Sequence, residues 1–379
     1  MATAREDAAP SFDSWKQRLE RAAPDQLRAE LEEFLRVLTV LGTPLIDGAN
    51  VHFVYYDPDA HHVALAGEFN EWGRNNDAIP MRRLRETAFF FHTLTVPGAA
   101  RLEYKFIVDG EWKPDPLGQH KIDNGIGGQN TFFVVGEFHD PPELEYVAAI
   151  PHGRVEEFEF ESKLLLNQRR IYIYLPAAYD RDRAARFPSL YVHDGGEYLE
   201  RARMATVMDN LIHARDLSPI VIVMIDPVDR THEYRGNDAY RDFLCDEFIP
   251  AIDRRYRTID HRDRRGVMGA SLGGLISTYA ALSKPQLFSR VAGQSSALQY
   301  AEGQLVSMLA AVTDTTMRFY LDVGSYEPRF IPAHEHFVAL LRQKRWPCLY
   351  QEIAGGHNWT NWRAHLKDLL LYMWDQHSP

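Results

Sequence analysis

The stretch Arg265-Gly-Val-Met-Gly-Ala-Ser-Leu-Gly-Gly274 places Ser271 between a short apolar run and a predicted helix over Leu275 to Leu282. It contains Gly-x-Ser-x-Gly, whose small residues let the backbone pass close to neighbouring elements. In such a strand–turn–helix the serine occupies a strained turn, and the amide of Leu272 is directed at an oxyanion developing beside it. The same pattern also arises in loops that serve packing or phosphate binding. Residues elsewhere in the chain therefore have to distinguish a catalytic serine from such a loop.

A serine hydroxyl needs a base within hydrogen-bond reach, and the base needs a third group that orients it. The chain order that accompanies this turn is serine, acid, histidine. Of the sixteen histidines, His357 alone lies in Gly355-Gly-His-Asn358, after the last predicted strand and before a helix that carries Trp359 and Trp362. We therefore predict an ester hydrolase with Ser271 as nucleophile and His357 as general base.

The segment from Met317 to Pro328 supplies two candidates for the orienting acid, Asp322 and Glu327. Asp322 reads as part of a strand. Gly324 and Pro328 mark a loop in which the Glu327 carboxylate can turn toward the imidazole. Glu327 is therefore favoured, with Asp322 as the alternative.

A second oxyanion donor is expected from the loop after an earlier strand, in the stretch Leu190-Tyr-Val-His-Asp-Gly-Gly-Glu197. Gly196 is the predicted donor, and a plain glycine turn is the alternative. A mechanism built on these groups needs no metal or cofactor.

Hydrophobic periodicity divides the 379 residues into three parts. Residues 1–45 carry apolar positions at three- and four-residue spacing and predict two short amphipathic helices, broken near Pro24. Residues 46–140 contain short β-branched and aromatic runs and predict a small antiparallel β-sandwich. Residues 141–379 alternate strands with helices, which predicts an α/β fold with a mostly parallel sheet covered on both faces. The predicted strands are 51–56, 62–66, 88–96, 102–108 and 131–135 in the second part, and 170–175, 189–193, 220–225, 265–268, 317–323 and 348–353 in the third.

Composition narrows the partners and the compartment. A formal net charge of -11 argues against nucleic acid, because phosphate binding requires clustered Lys and Arg. Cys245 and Cys348 lack metal-ligand spacing, which favours buried free thiols over a disulfide and fits a reducing compartment. No stretch approaches the roughly 18 apolar residues of a membrane span, and no basic, apolar leader is present. We expect a cytoplasmic protein that binds neither nucleic acid nor membrane; the oligomeric state stays open.

The region from Ile150 onward resembles the putative-esterase branch of the α/β-hydrolases, which includes enterochelin esterases, feruloyl esterases and mycolyltransferases. The segments that carry the resemblance are Tyr191–Gly195, Phe243–Pro250, Met268–Gly274, Gly324–Pro328 and Gly355–Arg363. Ile225–Arg235 and the Trp362-Arg363 pair are most similar to the enterochelin esterase group, which hydrolyses catecholate trilactones in the cytoplasm. Asn358 is a departure, because that group often has Asp there.

This resemblance implies an α/β-hydrolase fold and a small-molecule ester as substrate. Arginine and histidine side chains suit an anionic substrate. The candidate substrate contacts are Arg230, His232, Arg235, Trp359 and Arg363. The leading hypothesis is hydrolysis of an aromatic or siderophore-type ester through an acyl-enzyme. The alternatives are a feruloyl or acetyl-xylan esterase guided by the sandwich, and a non-catalytic glycan-binding protein.

Residues 46–140 resemble the glycogen-binding, isoamylase-like early-set domain, an immunoglobulin-like sandwich. The resemblance lies in Val63–Trp72, Tyr104–Trp112 and Gly127–Asn130. It implies that a glycan would be contacted by Trp72, Lys105, Trp112 and Asn130. Aromatic faces stack on pyranose rings, but the same pattern occurs where this domain packs against a catalytic domain. Both interpretations stay open.

Overall fold

The computed structural model describes residues 11–125, 127–313 and 315–374. The helices are α1 (Phe12–Arg21), α2 (Pro24–Leu41), α3 (Ala177–Arg181), α4 (Gly195–Glu200), α5 (Met204–Ala214), α6 (Arg230–Tyr234), α7 (Asp238–Asp242), α8 (Ile249–Arg255), α9 (Leu272–Ser283), α10 (Glu302–Ala311), α11 (Ile331–Gln343), α12 (Trp359–Ala364) and α13 (Leu366–Trp374). The strands are β1 (Leu45–Asp47), β2 (Asn50–Tyr56), β3 (Val63–Gly67), β4 (Ile79–Pro80), β5 (Arg82–Arg83), β6 (Phe89–Thr95), β7 (Ala100–Val108), β8 (Glu111–Lys113), β9 (Lys121–Asp123), β10 (Gln129–Val135), β11 (Arg154–Ser162), β12 (Asn167–Leu175), β13 (Ser189–His193), β14 (Val221–Ile225), β15 (Arg265–Ala270), β16 (Arg290–Gln294), β17 (Arg318–Gly324) and β18 (Cys348–Ile353).

The described residues form two compact units. The first holds the residues up to His139 together with Ala354–Gly356, and the second holds Asp140–Ile353 and the residues from His357 onward. Among all of these residues, no helix has both the length and the apolar composition that crossing a bilayer requires.

The two helices of the first unit have the predicted break between them. The side chain of Ser11 caps α1 by accepting from the Ser14 amide, and α2 begins at Pro24, whose fixed φ suits a first helical position. Trp15 of α1 stacks on Phe34 of α2 with ring centroids 4.9 Å apart. Phe34 also contacts Phe89 of β6, at 5.8 Å. The apolar stripes of both helices are therefore buried, as their spacing predicts.

The remainder of the first unit is an antiparallel β-sandwich. One sheet has the order β1-β2-β6-β5 and the other β4-β3-β7-β10-β9, with β8 paired to β7. All five predicted strands are present, with ends within two residues of the expected ones. Phe53 of the first sheet packs edge-on against Tyr104 and Phe133 of the second, at 4.8 and 5.5 Å. The aromatic runs therefore form the core between the sheets.

The second unit is built on an eight-stranded sheet with the order β11-β12-β14-β13-β15-β16-β17-β18. The pairs β11–β12 and β12–β14 are antiparallel, and all the others are parallel. A mostly parallel sheet was expected, but two strands were not predicted. In β11, glutamates alternate with phenylalanines along a partly exposed edge. In β16, the sequence Arg-Val-Ala-Gly-Gln has weak strand propensity, and its position between two parallel neighbours supplies the pairing.

Helices cover both faces of this sheet. Every residue of β13 and β14 is buried, and successive side chains point to opposite faces. Tyr191 packs in one apolar cluster with α8 and α9, whereas Leu190 and Val192 pack in another with α5 and α13. Continuous apolar runs are what a strand buried on both faces requires.

Both cysteines are free thiols, as predicted. Cys245 is buried and Cys348 is partly buried. Burial raises the pKa of each thiol to about 12, so both stay protonated at neutral pH.

The close approach of β15 to α9 generates a test of the fold. A Cβ atom at Gly269 would lie 2.5 to 2.8 Å from backbone atoms of Gly273, which cannot retreat without moving the helix. We expect Gly269→Ala to lower the free energy of unfolding by roughly 1–3 kcal/mol, the usual cost of overpacking. Gly303→Ala is the matched control, because nothing lies within 4 Å of that position. Urea unfolding of both variants measures the difference, and equal stabilities would contradict the packing described.

Candidate active site

The turn between β15 and α9 has the strained backbone expected of the Gly-x-Ser-x-Gly stretch. Ser271 adopts φ 56° and ψ -120°, and α9 begins directly after it, at Leu272. Two backbone hydrogen bonds hold the turn: the Ser271 amide donates to Gln294 O at 2.8 Å, and the Ala297 amide donates to Ser271 O at 2.9 Å. The strain presents the hydroxyl at the carboxyl end of the sheet.

The imidazole of His357 lies next to this hydroxyl. Its Nε2 is 2.9 Å from Ser271 Oγ, and its Nδ1 is 2.5 Å from Glu327 Oε1. Because an ionised carboxylate only accepts, the Nδ1–H donates to Glu327 and leaves Nε2 free to accept from Ser271. The structure thus brings Ser271, His357 and Glu327 into one hydrogen-bonded chain, in the geometry of a base oriented by a third group.

The second oxygen of Glu327 is also engaged. Oε2 accepts from Ser295 Oγ and from the Gly324 amide, each at 2.6 Å. The Glu327 side chain is only 2% exposed. The hydrogen bonds from Ser295, Gly324 and His357 therefore replace those that water would make to the carboxylate.

Asp322, the other candidate acid, lies within β17 and does not take part in that chain. Its carboxylate accepts from Gln294 Nε2 and from the Ser295 amide, both at 3.3 Å. Complete burial raises the pKa of Asp322 to about 7, because desolvation disfavours its charged form. Its place in the strand, which the sequence indicated, keeps it away from the imidazole.

The two predicted oxyanion donors differ in their surroundings. Leu272 is the first residue of α9, and amides of a first helical turn have no partner within the helix. The expectation for Gly196 has to be corrected. Its N–H donates to Asp226 Oδ1 at 2.7 Å, and the carboxylate occupies the single hydrogen that this amide offers. Gly195 and Gly196 are the first two residues of α4, which begins one residue after Asp194. The carboxylate that binds the Gly196 amide follows a different strand, β14, so no local pattern around the glycines could indicate it.

Two of the candidate substrate arginines are already paired with carboxylates. Arg230 makes two hydrogen bonds of 2.8 Å to buried Asp194, and a longer one of 3.4 Å to Ala270 O beside the turn. Arg363 binds both carboxylate oxygens of Asp140, at 2.9 and 2.7 Å. Both guanidinium groups, which were predicted to contact an anionic substrate, are thus engaged by carboxylates of the protein.

The remaining candidates have different neighbours. The guanidinium of Arg235 lies 4.7 Å from the ring centroid of Tyr300, which is 51% exposed, and no carboxylate of the described residues pairs with Arg235. Trp359 packs edge-on against Tyr198 and Trp362, each at 4.9 Å. His232 Nε2 is 3.1 Å from the side chain of Asn237.

The sequence reasoning missed Ser295, which contacts Glu327, and Tyr300, which contacts the candidate substrate residue Arg235. Both follow β16, one of the two strands that were not predicted. In an α/β sheet, functional residues gather after the carboxyl ends of strands. Assigning the short run Arg290–Gln294 as a strand would therefore have drawn attention to both side chains.

The sandwich brings together three of the four candidate glycan contacts. The rings of Trp72 and Trp112 lie 6.4 Å apart, and Trp112 is 48% exposed. Trp112 pairs directly with Ile107, so it shares a sheet face with Lys105, two residues along β7. Asn130 contradicts the expectation, since its side chain is buried and donates to Glu103 Oε2 at 2.8 Å.

The mostly parallel sheet, with helices on both faces and a serine on a strand–turn–helix, defines an α/β-hydrolase. A family model described as "Putative esterase" matches residues 162–373, more than half of the chain. The protein therefore belongs to this esterase family. A model of carbohydrate-binding module 48 (isoamylase N-terminal domain) matches residues 40–124. Both family resemblances are thereby confirmed.

Individual relatives are more distant. The iron(III) enterobactin esterase of Escherichia coli O6:H1 is 28% identical over 235 residues, covering 59% of this chain and 58% of the relative. The chain thus spans less than two thirds of that relative's length. The structure of ferric enterobactin esterase from Salmonella typhimurium has a TM-score of 0.74 at 22% identity, covering 90% of this chain and 98% of the other. A ferulic acid esterase structure has a TM-score of 0.53 at 21% identity, covering 59% and 98%. At such identities the structures establish the fold.

Proposed function

We propose that the protein is a serine carboxylic-ester hydrolase that works through an acyl-enzyme on Ser271. The observation that carries the proposal is a chain of two hydrogen bonds: Ser271 Oγ donates to His357 Nε2 at 2.9 Å, and His357 Nδ1 donates to Glu327 Oε1 at 2.5 Å. Membership of the esterase family supports it.

In the acylation step, His357 Nε2 takes the proton of Ser271 as Oγ attacks the ester carbonyl carbon. The negative charge that develops on the carbonyl oxygen is stabilised by the Leu272 amide at the start of α9. Glu327 stabilises the imidazolium through Nδ1. The imidazolium then gives its proton to the departing alcohol oxygen, and the C–O bond breaks.

In the deacylation step, water replaces the alcohol. His357 Nε2 removes a proton from the water as its oxygen attacks the acyl carbon, and then returns that proton to Ser271 Oγ as the ester bond to the serine breaks. The products are a carboxylic acid and the regenerated hydroxyl. Every proton transfer is thus made by the one imidazole.

For the substrate, we propose an aromatic ester of the siderophore type. The names of the compared proteins, enterobactin esterase and ferulic acid esterase, support an ester whose acid part carries an aromatic ring. Tyr300 follows β16, the strand next to the one that leads to Ser271. The guanidinium of Arg235 lies over the ring of Tyr300. An exposed ring beside an unpaired guanidinium suits an aromatic group that carries negative charge.

Replacing the nucleophile tests the proposed chemistry. We expect Ser271→Ala to lower kcat on a short nitrophenyl ester by roughly 10³-fold or more, because the covalent step is lost. Ser307→Ala is the control, since that serine is exposed on α10 and its hydroxyl donates to Gly303 O of its own helix. A fluorophosphonate probe should label wild type and the control but not Ser271→Ala. Full activity of Ser271→Ala would refute the mechanism.

A substrate panel tests the proposed ester class. Catecholate trilactone, a feruloylated sugar and nitrophenyl acetate are compared by kcat/KM, and we expect the catecholate ester to be preferred. Arg235→Gln should raise KM for it by roughly two- to fivefold, the range of one exposed charge contact, and leave nitrophenyl acetate unaffected. Arg255→Gln is the control, because that guanidinium also lies on an aromatic ring, Phe158, in a different part of the unit. Preference for the feruloylated sugar would favour the alternative substrate.

The paired tryptophans favour glycan binding by the sandwich as a second function. Trp112 and Lys105 share one sheet face, and the indole of Trp72, from the segment between β3 and β4, lies beside Trp112. These partly exposed side chains resemble a platform on which pyranose rings stack. Such a platform would direct the hydrolase to acylated polysaccharide.

Double replacement of Trp72 and Trp112 by alanine tests this second function. We expect the variant to lose retardation in gels that contain glucan or xylan, while hydrolysis of nitrophenyl acetate stays within twofold of wild type. Tyr56→Ala, an exposed ring on the other sheet of the sandwich, should be retarded normally. A wild-type protein that no glycan retards would remove this function.

A further inference from the structure

The side of Glu327 that faces away from His357 is bound by a serine with no role in the proposed reaction steps. Ser295 is fully buried, and its hydroxyl donates to Glu327 Oε2 at 2.6 Å. The Ser295 Oγ in turn accepts from the indole Nε1–H of Trp362 at 3.0 Å. Because Trp362 can only donate, it fixes the direction in which the Ser295 proton points. The hydroxyl is therefore oriented before any substrate arrives.

The backbone of Ser295 is unusual as well. It has φ 44°, in the left-handed region that serine rarely adopts. The Ser295 amide donates to Asp322 O at 2.8 Å, and two residues later the Ala297 amide donates to Ser271 O. A strained conformation persists only where the surroundings enforce it, and such residues cluster at functional sites. This turn is thus bonded to the nucleophile Ser271 through Ala297, and to β17 and the acid Glu327 through Ser295.

We propose that Ser295 is a positioning residue, whose hydroxyl, aligned by Trp362, holds the Glu327 carboxylate so that Oε1 faces the His357 imidazole. This inference rests on the proposed function. Trp362 contributes at a second point, because its ring packs edge-on against His357 at 5.0 Å. One indole therefore restrains both the imidazole and the residue that orients its carboxylate.

The charges around Glu327 explain why it needs such a donor. Asp322 on β17 is a second buried carboxyl group that interacts electrostatically with Glu327. His334 on α11 is a buried imidazole that also interacts with the charge of Glu327. Arg363 on α12 pairs with Asp140, and the guanidinium of Arg329 lies beside Phe330, 5.8 Å from its ring centroid. The hydrogen bonds from the neutral donors Ser295 and Gly324 thus offset the repulsion between the Glu327 carboxylate and Asp322. They add no positive charge that would compete with the imidazolium for the carboxylate.

Ser295→Ala tests the role, with Ser296→Ala as the matched control. Ser296 is adjacent and fully buried, and its hydroxyl lacks a hydrogen-bond partner among the described residues. For Ser295→Ala we expect kcat on nitrophenyl acetate to fall roughly 10- to 100-fold, the range of one hydrogen bond to a charged group, with KM within twofold. We also expect the acid limb of the kcat/KM profile to move to higher pH. With one donor lost, the carboxylate charge is less dispersed and stabilises the imidazolium more strongly.

Trp362→Phe is the second variant, because it removes the indole N–H but keeps an aromatic ring. It should shift the acid limb in the same direction by a smaller amount. If circular dichroism shows that Ser295→Ala is unfolded, Trp362→Phe provides the test in its place. A folded variant of either kind with an unmoved pH profile overturns the proposal. If Ser271→Ala is inactive at the same time, only the role of Ser295 fails; if Ser271→Ala stays active, the proposed function itself fails.

Discussion

The site depends on one backbone constraint, the turn at which β15 becomes α9. A residue held at φ 56° and ψ -120° costs of order 1–3 kcal/mol, so the surrounding structure has to impose it. It does so by complete burial of β15 and by two backbone hydrogen bonds, one to the last residue of β16 and one to Ala297 just after that strand. The close approach of Gly269 to Gly273 adds a third restraint. A side chain at Gly269 would separate strand from helix, and the serine would lose its strained position. The glycine pattern is therefore a packing requirement before it is a chemical one.

Strand order explains how distant segments reach that turn. The last four strands, β15 to β18, are sheet neighbours in chain order and run parallel, so the segments after their carboxyl ends lie side by side. Ser271 follows β15, Ser295 follows β16, Glu327 follows β17 and His357 follows β18. Adjacent strands are about 4.8 Å apart, which places Ser295 between nucleophile and acid. A residue in that place can contact Glu327 without competing with the imidazole.

Much of the candidate site could be predicted because it depends on local sequence patterns. The Gly-x-Ser-x-Gly turn, the loop position of Glu327 and the setting of His357 each depend on a few adjacent residues. What could not be predicted depends on contacts between segments. The Gly196 amide is taken by Asp226 from a separate loop, and Asn130 is buried against Glu103 across two strands. The weak strand propensity of β16 hid the segment that carries Ser295.

Charge shows the same dependence on tertiary contacts. The sequence offers several arginines to an anionic substrate, yet Asp194 neutralises Arg230 and Asp140 neutralises Arg363. The formal net charge of -11 disfavours an approaching anion only weakly, because salt screens exposed charges beyond about 8–10 Å. The anion recognition that we propose therefore depends on which guanidinium has no carboxylate beside it among the described residues. Among the candidate substrate arginines that is Arg235, over the exposed ring of Tyr300, so the local pairing pattern bears on specificity more than the arginine count does.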